Sequence, residues 1–107
     1  MFASLVKGLN EQGGGVRAYD ACARAARARM ASEPDNAAAL LLISFAAQRF
    51  VDAYDDQPLT VEVAAAEFEQ FKSYVDALDA GFAKGTEEAK LQALNGVAAK
   101  YVAASKS

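Results

Sequence analysis

Asp52, Asp55 and Asp56 crowd the end of one apolar segment, with Tyr54 among them. Carboxylates this close together could hold a divalent cation or divide acid and base roles. They also offend the local electrostatics. A helix C-terminus carries partial negative charge and disfavours each added anion by about 0.3–1 kcal/mol. Elsewhere the charges follow the dipole: Glu62, Glu87 and Glu88 fall near helix starts, and Arg27, Arg29, Lys84 and Lys100 toward helix ends. A set of residues that breaks a local rule marks a function or a compensating partner. In an antiparallel hairpin the start of the preceding helix lies beside these acids. Arg17, Asp52, Asp55 and Asp56 therefore form a candidate charged corner. The plainer reading places Asp55 and Asp56 in a turn, where aspartate is common.

Two other groups carry chemistry. Arg17, Arg24 and Arg27 share one helical stripe, with Asp20 among them. They could recognise an anion or an acidic partner through their guanidinium forks, or simply form a solvated face with i,i+3 pairing. Cys22 lies two residues before Arg24, close enough for activation, although a lone cysteine between alanines also suits a buried filler. The chain has no histidine, so imidazole-based nucleophile pairs and imidazole metal ligands are excluded. Gly13-Gly14-Gly15 has neither the spacing nor the preceding strand of a phosphate-binding loop. The sequence thus indicates no catalytic residue, no metal ligand set and no cofactor.

The elements that must position these residues are helices. The 107 residues suit one domain, 1–107, and about a quarter of them are alanine, the strongest helix former. A short arm, 1–12, carries Phe2, Leu5 and Leu9 on one face and ends at a glycine hinge, 13–15. A second helix over Val16–Ser32 stops at Pro34-Asp35-Asn36, which also offers a polar N-cap. A third, about Ala37–Asp55, is apolar all round in its first half. Leu41 and Phe45 fall opposite its main apolar side, so both sides should be covered. A fourth, about Thr60–Lys84, repeats Val61, Ala64, Phe68, Phe71, Val75, Leu78 and Phe82 as a heptad seam. A fifth begins at Thr86-Glu87-Glu88, carries Leu91, Leu94, Ala98 and Tyr101, and fades into Ser105-Lys106-Ser107. Short connections make successive long helices antiparallel. The expected fold is an all-α, up-and-down bundle of four long helices with a short N-terminal helical arm.

Around Tyr19, Cys22 and Pro34-Asp35-Asn36-Ala37-Ala38-Ala39-Leu40 the chain resembles the junction between two tetratricopeptide repeats. The likeness spans about one repeat and has alanine or arginine where large apolar residues are usual. It is lost after Asp55, whereas a stable solenoid wants about three repeats. What it implies is a helix hairpin.

A net charge of −3 disfavours general nucleic-acid binding, which needs a basic face. No apolar run approaches the roughly 20 residues of a membrane span, and the start of the chain does not read as a signal peptide. The resulting expectation is a cytoplasmic, non-enzymatic interaction, adaptor or regulatory bundle that forms a homodimer. Its interface would use Phe2, Leu5, Leu9, Leu41 and Phe45, with the arm covering Leu41 and Phe45 on its own or a partner's third helix. One alternative is a small-ligand binder with a pocket between helices. Another is a cation-dependent enzyme using Asp52, Asp55, Asp56 and Tyr54.

Overall fold

The computed structural model describes residues 1–105, so Lys106 and Ser107 lie outside the description. The fold is all-α: α1 Ala3–Glu11, α2 Val16–Ser32, a 3-10 turn Pro34–Asn36, α3 Ala37–Tyr54, α4 Val61–Ala83 and α5 Glu87–Ser105. Threonine side chains start the last two helices. Thr60 Oγ1 accepts from the Val63 N–H, and Thr86 Oγ1 from the Ala89 N–H, each at 3.1 Å. Each satisfies one of the donors that a helix start leaves unpaired. Asn36 precedes α3 but does not cap it with its side chain. Its amide donates instead to Glu33 at 3.0 Å, because the 3-10 turn brings that carboxylate nearer.

Alanine decides how closely α2 and α3 pack. Ala18, Ala23 and Ala26 of α2 and Ala39, Ala46 and Ala47 of α3 are all buried in the core. Small side chains at these positions let the two axes approach, and larger residues fill the remaining gaps. Tyr19 stacks on Phe50 with ring centroids 3.8 Å apart, and Phe71 of α4 meets the Tyr19 ring edge-on at 5.5 Å. The segment Pro34–Tyr54 is, by length and hydropathy, apolar enough to cross a membrane, contrary to the expectation that no run comes close. Here its Leu40, Ile43, Ala47 and Phe50 are core residues.

The N-terminal arm differs most from expectation. It lies against α2 and α4 and, among the described residues, makes no contact with α3. Phe2, Leu5 and Leu9 are core residues, with Phe2 fully buried. The Phe2 ring meets Phe82 edge-on at 5.4 Å, and its backbone N–H donates to Asp79 at 2.6 Å. The glycine run is correspondingly ordered. Gly13 and Gly14 take positive φ, and the Gly14 N–H donates to the Leu9 carbonyl, closing the end of α1. The arm is therefore a core helix: the groove between α2 and α4 buries its Phe2, Leu5 and Leu9. Removing residues 1–12 would unmake that core.

Only part of the α4 seam is used. Phe71, Val75, Leu78 and Phe82 are buried, Phe68 is half-buried, and Val61 is 82% exposed. On α5 the inward residues are Leu94, Val97, Ala98 and Tyr101, whereas Leu91 points outward. The α4–α5 hairpin closes where Gly81 faces Ala89 and Ala93. A Cβ on Gly81 would collide with the Ala93 methyl and lie 3.0 Å from the Ala89 carbonyl oxygen. Gly96, also helical, has open space around it.

These two glycines give paired expectations. Gly81→Ala should destabilise by about 1–3 kcal/mol from overpacking, reduced by its gain in helix propensity. Gly96→Ala should stabilise by about 0.5–1 kcal/mol. Urea unfolding of both variants checks this, and a neutral Gly81→Ala would mean the hairpin can open at no cost.

Candidate functional site

The end of α3 and the adjoining turn hold the three aspartates, but the structure does not bring Arg17 to them. Arg17 is exposed, and no ion pair among the described residues joins it to Asp52, Asp55 or Asp56. Asp52 accepts instead from Gln48 Nε2 at 3.0 Å, and Gln48 Oε1 accepts from Arg27 at 2.9 Å. Gln48 is one helical turn before Asp52 and reaches it at ordinary i,i+4 spacing. The arginine that touches this corner is thus Arg27, through an amide. Arg24, the third of the stripe, pairs with Asp20 at 3.1 Å.

Asp55 and Asp56 form the turn that leaves α3. The Gln57 N–H donates to the Tyr54 carbonyl at 3.0 Å, Asp55 is extended, and Asp56 has a φ of 58°. This is a type II turn, whose third position favours glycine or asparagine. Among the described residues no group of three or more His, Cys, Asp or Glu is arranged to hold a metal ion.

The most elaborate polar grouping lies deeper, between α2, α3 and α4. Arg49 of α3 donates to Glu67 of α4 at 2.7 Å and to Gln70 at 3.2 Å. Three phenols surround the pair. Burial raises the pKa of Tyr19, Tyr54 and Tyr74, and in each case the Glu67 charge adds to the rise while Arg49 opposes it. The Tyr19 and Tyr74 hydroxyls are buried with no hydrogen-bond partner among the described residues, an arrangement that costs about 1–3 kcal/mol each. The phenols stay protonated, and Glu67 is engaged by both Arg49 and Tyr54. Sequence reasoning missed Arg49, Glu67 and Gln70. The available signal was an arginine in the most apolar helix.

Cys22 is a filler. Its Sγ donates to the Leu5 carbonyl at 3.8 Å, and burial pushes the thiol up to about 11. It lines a groove of about 90 Å³ between α1 and α2, together with Ser4, Leu5, Gly8 and Leu9.

A second polar cluster clasps the arm. Arg29 donates to both Glu33 oxygens, at 2.7 and 3.0 Å, and to the Met1 carbonyl at 2.9 Å. The same guanidinium lies 5.6 Å from the Phe2 ring centroid. Hydrogen bonds from Arg29 and then Asn36 pull the Glu33 carboxyl down to about 2.

The remaining sequence-derived site residues are Leu41 and Phe45. They are 39% and 49% exposed on α3. Beside them on α5, the Tyr101 hydroxyl donates to the Phe45 carbonyl at 3.4 Å, and the adjacent Val102 is half exposed. No family model matches the chain, and no curated protein or solved structure shows significant similarity to it. The likeness to a tetratricopeptide repeat accordingly extends to a helix hairpin, α2–α3.

Two outcomes follow from these geometries. A carboxyl held near 2 rather than its ordinary 4.5 favours the folded state above about pH 4.5, and this contribution fades as pH falls toward 2. Glu33→Gln should therefore destabilise at pH 7 and change little near pH 2, as read by urea midpoints across that range. An equal loss at both ends would mean that the charge contributes nothing. Asp56→Gly should raise stability by about 0.5–1 kcal/mol, because it relieves a left-handed backbone and an anion near a helix end. A loss in the same assay would show that the Asp56 side chain has a role beyond the turn.

Proposed function

We propose that this chain is a non-catalytic protein-interaction bundle, adaptor or regulatory in character, whose first partner is a second copy of itself. The observation that carries the reading is the uncovered pair Leu41 and Phe45, one turn apart on α3. The expected cover, the N-terminal arm, is engaged elsewhere. The molecule is only 18 Å thick along its shortest axis, close to two helix diameters. So thin a slab has few interior positions, and α3 reaches the surface along one stripe. Full burial of a leucine or phenylalanine contributes about 1.5–3 kcal/mol, and these two side chains still have a substantial part of that to gain. The single, buried cysteine and modest charge suit a cytoplasmic setting.

The groove between α1 and α2, at about 90 Å³, is well short of the roughly 300 Å³ at which small-molecule sites begin. This favours the interaction reading over a ligand-binding one. A cation-dependent enzyme would need its carboxylates to converge, and Asp55 and Asp56 are spent on a turn.

Sedimentation across concentration tests the proposal. The chain should form dimers at micromolar concentration, and Phe45→Asp should weaken them by about tenfold or more with unchanged helical circular dichroism. A chain that remains monomeric at hundreds of micromolar would end the self-association reading.

A further inference from the structure

The surface that faces Leu41 and Phe45 in such an assembly can be sought on the same chain, because a second apolar and oppositely charged stretch is also uncovered. We infer that the first turns of α4 in one copy dock across the α2–α3 face of another. This rests on the self-association reading and names the two surfaces involved.

The donor surface is the start of α4. Val61 is the most exposed large apolar residue of the chain, at 82%. Val61, Ala65 and Glu69 follow one another at i, i+4 and i+8, with Glu62 beside them, and all four are exposed. Asp55 and Asp56 stand exposed in the turn that precedes them. Val61, the first residue of α4, gains little packing in the single chain, and a covering surface would supply it.

The receiving surface is complementary in both respects. Leu41 and Phe45 lie at i and i+4 on α3, and Gln48 continues the stripe. Arg27 is fixed at its border by the hydrogen bond to Gln48, and Arg24 and Arg17 continue the same side of α2. An incoming helix that lays Val61 and Ala65 over Leu41 and Phe45 brings Glu62 and Glu69 toward these guanidiniums. The present partners of Arg24 and Arg27, Asp20 and Gln48, are surface contacts of small net value, so exchanging them costs little. Asp52 at the far end of the stripe repels the same acids and so favours seating them over Arg24 and Arg27. Donor and receiver are different surfaces and every copy has both. Reciprocal docking of two copies would close a symmetric dimer.

Charge reversal in the full chain tests this. All four substituted positions are exposed, and circular dichroism confirms that each variant keeps its helices. Arg24→Glu with Arg27→Glu should raise the dissociation constant by about tenfold or more, as should Glu62→Arg with Glu69→Arg. An equimolar mixture of the two double variants should recover association, now as a mixed pair, and raised salt should weaken the unmodified dimer. If Glu62→Arg with Glu69→Arg associates like the unmodified chain while Phe45→Asp does not, the α4 contact is wrong and self-association through α3 stands. If the unmodified chain never associates, both readings fall.

Discussion

The alanine-rich seam between α2 and α3 is the constraint on which the rest of the structure depends. Alanines on both helices let the axes approach, and that approach sets Tyr19 against Phe50 at stacking distance. The stacked pair then forms the floor on which Phe71 rests, fixing where α4 crosses. A bulkier seam would separate the rings and leave α4 without its contact. Alanine contributes little by its own burial. Its value here is that it lets larger neighbours meet.

Two polar clusters sit at the margins of this core. Arg49 and Glu67 connect α3 with α4, and Arg29 and Glu33 hold the backbone at the start of α1. Both pairs are partly buried, so each is shielded from salt more than a surface pair and owes more to its geometry. Burial keeps the nearby phenols protonated, and the Arg49 and Glu67 charges beside them are already paired with each other.

What the sequence made legible was local. The ends of α2 follow from a glycine run and a proline, and the start of α5 from Thr86, whose capping depends on a residue three positions away; the equivalent cap at Thr60 was found only in the structure. The inward face of α1 was legible too, since Phe2, Leu5 and Leu9 share a side at helical spacing. Which groove would receive that face was not, because the contact with Phe82 and Asp79 joins residues that no local pattern relates. Arg17 was assigned to the acids from hairpin register alone. Register places a backbone, but a side chain pairs with what its rotamers reach, and Gln48 was nearer to Asp52. The α4 seam shows the same limit: a heptad pattern says which residues share a line but not how far along it a neighbour extends. The charged corner was half legible. Its turn chemistry followed from composition, whereas the Arg49–Glu67 pair spans two helices and gave no sign beyond a charge in an apolar run.

The attachment of α1 bears on how the chain acquires its shape. The α2–α3 and α4–α5 hairpins are closed by neighbours in sequence and can form early, as contacts of short separation do. The Phe2–Asp79 hydrogen bond spans 77 residues and needs α4 in place first. During synthesis, which proceeds from the N-terminus, α1 is made before α4, and it has no complete seat until α4 has followed. For that interval Phe2 lacks the Phe82 ring and the Asp79 carboxylate that it meets in the folded chain. The side of α1 that faces α2, where the Leu5 carbonyl accepts from Cys22, can close at once, whereas the side that meets α4 must wait for it.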